Sequence, residues 1–216
     1  MKKKAVLFVF ILILIEVSHL AALDSKGIYV GIMVPYNGIA GSDFSGDKFF
    51  DLGTQLVFIP KIKNGLGWGI VVGKSADTFD VEIYYMHSSH DTTFLDVSDK
   101  ATLDAIGLDW RWYLLKARVL RPYVNIACDF SYLTAVNAAI QVDWPYRQGD
   151  AKFIGIGLCG GGGITLSPMD HLALFVGAEV RWNPMGKVKG YEGNYETTKD
   201  LDSLGLSLRS GIYYRF

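Results

Sequence analysis

The polar run His87-Ser88-Ser89-His90-Asp91 contains side chains that could do chemistry in this 216-residue chain. Two imidazoles and a carboxylate are metal ligands. His87 and Ser89 share one face of an extended strand, as the base and nucleophile of a hydrolase would, with Asp91 as a candidate for the orienting acid. The third interpretation, which we favour, is a polar rim beside an external loop. We therefore expect no catalytic residue, no bound metal and no cofactor.

A second polar group consists of charged residues that alternate with apolar ones. Glu82 lies between two apolar residues, and Arg111 lies between two tryptophans. Buried charges persist only when they are paired and hydrogen-bonded. If these residues face a narrow barrel interior, the acidic side chains must pair with the arginines. We predict a salt-bridge network that plugs the lumen, formed by Glu82, Asp109, Arg111, Asp129, Glu179, Arg181 and Arg209.

Eight segments would position these side chains. In each, apolar residues alternate with glycine, polar or charged residues, which is the period of a strand with one oily face. The segments are 28–36, 67–73, 79–86, 105–112, 124–132, 154–159, 172–182 and 206–216. Hydrophobic residues make up 50% of the chain, yet no stretch after Ala22 is long enough for an apolar transmembrane helix.

The connections between these segments alternate between long and short. Long polar connections span roughly 37–66, 88–100, 133–150 and 183–201. A sheet that crosses hydrocarbon must close on itself, because unpaired amides are costly there. The pattern predicts an all-β fold, an eight-stranded antiparallel transmembrane β-barrel with short periplasmic turns and long extracellular loops. Residues 50–59 could be a ninth strand, but we place them in the first loop as a hairpin arm.

Aromatic residues on the apolar faces cluster near both ends of the strands. Such bands are typical of the two membrane interfaces of an outer-membrane barrel. The predicted girdle consists of Trp68, Tyr85, Trp112, Tyr132 and Trp182. A soluble eight-stranded barrel with an apolar lumen is the alternative, but these tryptophans, together with Tyr214 and Phe216, would overfill that lumen.

The first 22 residues are organised like a secretory signal peptide. Residues 1–4 are basic, an apolar run continues to Ile15, and small residues lead to Ala22. We predict a signal peptide at 1–22 and an outer-membrane β-barrel domain at 23–216. The formal net charge is −1, and no basic cluster follows the signal peptide, so we expect no nucleic-acid partner.

The mature chain resembles the small outer-membrane β-barrel proteins of the OmpA, OmpX and OmpW type. The resemblance rests on the signal peptide, Gly67-Trp68-Gly69, Arg121-Pro122-Tyr123-Val124 and the closing segment 211–216. It implies a place in the outer membrane of a diderm bacterium, in contact with outer-membrane lipid. It also implies that periplasmic chaperones and the outer-membrane insertion machinery act during biogenesis. That machinery would read a C-terminal signal formed by Ile212, Tyr214 and Phe216.

The same resemblance allows three functions. We favour a non-enzymatic structural protein that is surface-exposed and presents its loops, where an extracellular ligand could bind. The second is a narrow porin-like channel for small or hydrophobic solutes, as in OmpW-like barrels. The third is a lipid-modifying enzyme that uses His87 and Ser89, by analogy with lipid A deacylase barrels.

Overall fold

The structure, a computed structural model, describes residues 27–41, 43–53, 55–115, 119–142, 147–190 and 196–216, and for 196–200 the backbone alone. The predicted signal peptide lies outside these residues. The described part contains eleven strands: β1 (Ile28–Asn37), β2 (Lys48–Asp51), β3 (Gln55–Ile59), β4 (Lys61–Ile62), β5 (Gly65–Ser75), β6 (Phe79–Phe94), β7 (Val97–Tyr113), β8 (Leu120–Gln141), β9 (Arg147–Met169), β10 (Leu172–Lys189) and β11 (Glu196–Arg215). None of the described residues forms a helix that is long and apolar enough to cross a membrane.

Eight of the described strands close into an antiparallel barrel. The hydrogen-bonded order is β1–β5–β6–β7–β8–β9–β10–β11, and β11 pairs in turn with β1, with Tyr29 opposite Arg215. Seven of the eight segments predicted from the sequence lie wholly in one of these strands, and the eighth, 206–216, extends one residue beyond the end of β11 at Arg215. The predicted fold class is therefore confirmed, and closure satisfies the backbone groups around the ring.

An apolar belt covers the outside of the barrel. Ile32 on β1, Ile126 on β8 and Val176 on β10 are 63%, 57% and 58% exposed. Patches of this extent are rare on soluble monomers. Since side chains alternate along a strand, the glycines and charged residues between these positions point inward.

Six strands, β6 to β11, continue beyond this belt at the end opposite Ile28 and Phe216, which we name the loop end. β6 and β7 run to a two-residue turn at Leu95 and Asp96, whose φ angles of 44° and 68° fit a type I′ hairpin. β8 continues to Gln141, and β9 starts at Arg147. β10 continues to Lys189, and β11 starts at Glu196. Much of the predicted connections 88–100, 133–150 and 183–201 is therefore strand, so the predicted strand boundaries were wrong there.

The two faces of the wall exchange polarity along these extensions. On β7, the outward-facing Asp104 and Thr102 are polar, whereas the inward-facing Leu103 is fully buried. Leu133 on β8 and Phe153 on β9 are also fully buried and belong to the same hydrophobic cluster. The loop end therefore encloses an apolar core, as a soluble barrel does.

The first loop, residues 38–64, folds over this core. The chain follows β11 after β1, with Ala40 paired to Leu204. Phe44 is then buried against Phe153, with ring centroids 5.8 Å apart. The hairpin of β2 and β3 pairs with the far end of β8, on the opposite side of the ring from β1. Residues 50–59 thus lie in a hairpin of the first loop, as predicted.

Candidate functional site

The buried charges lie in the part of the interior nearer the short turns and the chain ends, which we name the turn end. Arg111 on β7 contacts Glu82 on β6 at 2.7 Å and Asp109 on its own strand at 3.3 Å. These three side chains are at most 2% exposed. Tyr29 donates a hydrogen bond to Glu82 at 2.6 Å, and Tyr213 accepts one from Arg111. The ion pairs are therefore enclosed by protein.

A second arginine carries the network across the interior. Arg209 on β11 lies 2.5 Å from Glu179 on β10 and 3.5 Å from Asp109 on β7. Asn125 on β8 donates hydrogen bonds to Asp109 at 3.0 Å and to Glu179 at 2.7 Å. Since β7 and β10 are not neighbours in the ring, these contacts span the bore.

Arg181 and Asp129 form a third pair, 2.6 Å apart and both almost fully buried. Asp129 also accepts hydrogen bonds from Ser131 at 2.5 Å and from Tyr84 at 2.8 Å. The ring of Tyr84 in turn lies 4.7 Å from the guanidinium carbon of Arg209. Tyr84 therefore connects the third pair to the other two arginines.

The predicted girdle residues lie on the outer face. Trp68 is 54% exposed, and Trp112 and Trp182 are each 43% exposed. Trp112 lies near the turn end, whereas the other two lie towards the loop end. Tyr85 and Tyr132 are half-buried, and the Tyr85 ring packs edge-on against Trp68 with centroids 5.6 Å apart. The tryptophans thus border the apolar belt on both sides.

The proposed C-terminal signal residues also face outward. Ile212, Tyr214 and Phe216 are 37%, 52% and 68% exposed. Tyr214 and Phe216 pack edge-on with centroids 5.2 Å apart. Ile212 stands opposite Ile32 on β1 and Leu174 on β10. The last strand is therefore a full member of the ring with an aromatic outer face.

The structure supplies an acid for His87 that the sequence analysis did not identify. His87 Nδ1 lies 2.9 Å from Asp104 Oδ1, and the Tyr85 hydroxyl donates to the same oxygen at 2.7 Å. Because a carboxylate only accepts hydrogen bonds, Nδ1 is the donor in this contact, and in the corresponding neutral tautomer Nε2 carries no proton. Ser89 lies two residues further along the same outer face.

The other members of the polar run have different roles. Asp91, the candidate acid, forms an exposed ion pair with Lys100 instead, so that assignment was wrong. His90 points inward, where it contacts Ser88 and the carbonyl of Lys63, each at 2.9 Å. Its face is opposite that of His87, so the two imidazoles cannot bind one metal ion. No group of three potential ligands occurs among the described residues.

Solved structures with a similar fold are outer-membrane barrels. Neisserial surface protein A has a TM-score of 0.53 and 15% identity, with 90% of this chain and 100% of that chain covered. OprG from Pseudomonas aeruginosa has a TM-score of 0.53 and 12% identity, with 89% of this chain and 97% of that chain covered. Ail, the attachment invasion locus protein of Yersinia pestis, has a TM-score of 0.50 and 11% identity, with 88% of this chain and 99% of that chain covered. This chain has the fold of the small outer-membrane β-barrels. No protein-family model matches the sequence, and no curated protein is detectably similar to it.

The barrel interior contains residues that the sequence analysis missed. Tyr29, Tyr84 and Tyr213 are at most 2% exposed and contact the charged groups. The signal was present, because Tyr84 follows Glu82 by two residues and therefore shares its inward face. Such tyrosines combine apolar bulk with a hydroxyl group, which suits a lumen that is both packed and charged.

Proposed function

We propose that this protein is a non-enzymatic, surface-exposed component of the outer membrane whose barrel is closed. The observation that supports this most is the filling of the bore at two levels. Ion pairs cross it at the periplasmic end, where the short turns lie, and an apolar core covered by the first loop fills the extracellular end. Such a barrel is a stable platform for its extracellular face rather than a conduit.

The proposed plug consists of the buried network together with the side chains that satisfy it. Arg111 and Arg209 share Asp109, and Arg181 holds Asp129. A buried ion pair is costly to desolvate, so it adds little net stability over apolar packing. Removal of one partner is nevertheless strongly destabilising, because it leaves the other charge buried and unpaired. We infer that the network favours a closed, uniquely packed lumen.

Conductance measurements in planar bilayers test this proposal. The refolded barrel should produce no stable open steps, because the proposed plug would leave no continuous water path between its two ends. The double variant Asp129→Ala/Arg181→Ala removes one ion pair and serves as a comparison for leakage through a weakened plug. Stable openings of the unmodified protein would reject the closed lumen and favour a narrow channel for small or hydrophobic solutes.

Export and assembly complete the proposal. Residues 1–22 would direct the chain across the inner membrane, and periplasmic chaperones would deliver it to the insertion machinery. The outward aromatic face of β11, with Tyr214 and Phe216, is the part that this machinery would read. Outer-membrane lipid would then surround the belt. The first loop and the extended strand pairs β6–β7 and β8–β9 would be accessible to an extracellular ligand.

The hydrogen bond between His87 and Asp104 favours a second candidate function, hydrolysis of a lipid acyl ester on the outer wall. Asp104 would orient the imidazole, and Nε2 would take the proton of Ser89 as its oxygen attacks the acyl carbonyl. The proton would pass to the departing alcohol, and water would then release the fatty acid. Trp68 and Tyr85 place this group beside the proposed extracellular interface.

Lipid analysis of cells that produce the protein tests the second candidate. Hydrolysis predicts loss of one acyl chain from the outer-leaflet lipid, abolished in Ser89→Ala and in His87→Ala. Thr102→Ala is the matched control, because Thr102 stands opposite Ser89 on the same outer face. Identical lipid profiles with the unmodified protein, with Ser89→Ala and without the protein would exclude the enzyme and leave the first proposal intact.

A further inference from the structure

A cavity at the periplasmic end of the barrel has no part in the proposed function. Its volume is about 710 Å³, and it lies where the start of β8, the end of β9 and the end of β11 meet. Arg121 and Arg215 line it, together with Ser167. It lies beyond the ion pairs of the plug, so its properties do not depend on whether the lumen is closed.

The two arginines have donor groups that the protein does not satisfy. Nη2 of Arg121 and both Nε and Nη2 of Arg215 are buried and have no hydrogen-bond partner among the described residues. A buried donor without a partner is costly, more so when it is charged. Three such nitrogens at one cavity therefore indicate that an acceptor from outside the chain completes it.

Protein contacts hold both guanidinium groups in place. The Arg121 guanidinium carbon lies 3.8 Å from the ring centroid of Tyr113, which is itself fixed by a hydrogen bond to Asp80. Arg215 donates from Nη1 to Ser167 Oγ at 3.4 Å. Because Ser167 accepts this bond, its own hydroxyl proton remains to be donated. The donors are thus positioned before a ligand arrives.

We propose that Arg121, Arg215 and Ser167 form a binding site for a phosphate group at the periplasmic mouth. Guanidinium groups match the oxygens of a phosphate in a two-pronged geometry. Among the described lining residues, two arginines and Asp170 give a net charge of +1, which suits the single charge of a phosphodiester.

The cavity is larger than a lone phosphate ion, and its rim is apolar. Val119 and Met169 line it and are 52% and 66% exposed. These side chains would contact the organic part of a phosphate ester. The phosphate can come from the headgroup of a phospholipid in the adjacent leaflet or from a free phosphate, and the recognising chemistry is the same for both.

Nuclear magnetic resonance of the arginine Nε–H groups tests the site. The barrel is refolded in a phosphate-free, non-ionic detergent with ¹⁵N-arginine. It is then titrated with inorganic phosphate, with diheptanoyl phosphatidylglycerol and with sodium chloride at matched ionic strength. Arg121→Lys and Arg215→Lys identify the two signals. We expect saturable shifts of both signals with the short-chain lipid, and none with chloride.

The two phosphate probes separate the sources. Shifts with the lipid alone identify a headgroup site, and shifts with inorganic phosphate as well identify a site for which phosphate suffices. The double variant Arg121→Gln/Arg215→Gln should bind at least about tenfold more weakly, because charge-assisted hydrogen bonds are lost. The control Lys100→Gln, at the extracellular end, should bind normally.

Two results would overturn the proposal. One is the absence of saturable shifts with either phosphate probe, and the other is unchanged affinity in the folded double variant. The change in gel mobility on boiling shows whether that variant is folded. If it is not, the titration of the unmodified protein decides, because Arg121 and Arg215 must shift while the buried Arg209 does not.

Discussion

At the scale of single residues, Arg181 and Asp129 are the clearest case of charges that depend on each other. They are at most 1% exposed at the side chain and 2.6 Å apart. We expect Asp129→Ala to reduce the free energy of unfolding by roughly 3–5 kcal/mol, because it leaves a buried guanidinium without its counter-charge. Urea titration of the barrel refolded in lipid vesicles measures this loss.

Asp91→Ala is the matched control for that substitution. Asp91 pairs with Lys100, but both side chains are exposed to water, and such surface pairs contribute little. Its unfolding midpoint should stay at that of the unmodified protein. An Asp129→Ala midpoint equally unchanged would contradict the buried pairing. The pair Asp129→Leu/Arg181→Met should recover stability, since apolar replacement of both partners removes the unpaired charge.

Asp43 gives the first loop a dependence on pH. The backbone N–H of Asp202 on β11 donates to its carboxylate at 3.0 Å, and Lys48 lies 2.9 Å away; these contacts lower the pKa of Asp43. Because the folded-state pKa is the lower one, the stabilisation is fully present above the ordinary aspartate pKa. It is lost as the pH falls through the lowered value.

The amide signal of Asp202 reports this titration directly. Its chemical shift should change with a midpoint below the ordinary aspartate pKa as the acceptor becomes protonated. In Asp43→Asn this step should disappear. A midpoint at or above the ordinary value would show that the contact to β11 does not stabilise the ionised carboxylate.

At the scale of elements, the glycines of β9 let neighbouring strands place large side chains in the bore. A Cβ at the inward-facing Gly161 would lie 2.2 Å from the carbonyl oxygen of Ala178, whereas one at the outward-facing Gly160 would meet nothing within 4 Å. We expect Gly161→Ala to cost about 1–3 kcal/mol or more through strain. Gly160→Ala should be nearly neutral.

Folding yield and urea unfolding of the two variants measure this difference. They change adjacent residues of one strand by the same methyl group, so strand propensity cancels between them. Equal behaviour would mean that β9 is displaced from β10 at this point. A larger cost for Gly160→Ala would mean that the inward and outward faces are exchanged.

The sequence pattern identified the strands wherever they cross the apolar belt, but not where they leave it. From Ile126 to Phe130 the apolar residues face outward and the pattern is clear. From Leu133 the same strand turns its apolar residues inward, because its outer face now meets water and its inner face meets the core. The period of two continues as far as Ala135, where the register with β9 shifts, but its polarity reverses. The sequence analysis assigned apolar residues to the outer face throughout and therefore placed these residues in loops.

The sequence pattern predicted the buried charges of the candidate site but not the contact between His87 and Asp104. A narrow bore must pair its charges, so alternation alone indicated which arginines and carboxylates face inward. Asp104 is 17 residues from His87 and meets it only through the register of β6 and β7. The turn at Leu95 and Asp96 sets that register, and these residues lack the glycine that usually marks a type I′ turn. No feature of the sequence therefore indicated that pairing.

At the scale of the whole molecule, one continuous wall of strands has two zones along the barrel axis, and the polarity of its inner and outer faces differs between them. Around the belt the outside is apolar and the inside is charged. At the loop end the outside is polar and the inside is apolar, with Phe44 of the first loop buried in the core. The change on β7 falls between Ile106 and Asp104. The position of this change is a physical estimate of where hydrocarbon ends.

Arginine substitution on the outer face tests that boundary. Ile126 is 57% exposed on the outward apolar face of β8, so Ile126→Arg should cost roughly 2–4 kcal/mol if its surroundings are hydrocarbon. Thr102→Arg also changes the outer face, but beyond the belt, and should be almost neutral. Reversible urea unfolding from phospholipid vesicles measures both. If the barrel were soluble, Ile126 would already face water and an arginine there would be tolerated. A cost for Ile126→Arg no greater than that for Thr102→Arg would therefore reject a membrane-embedded belt.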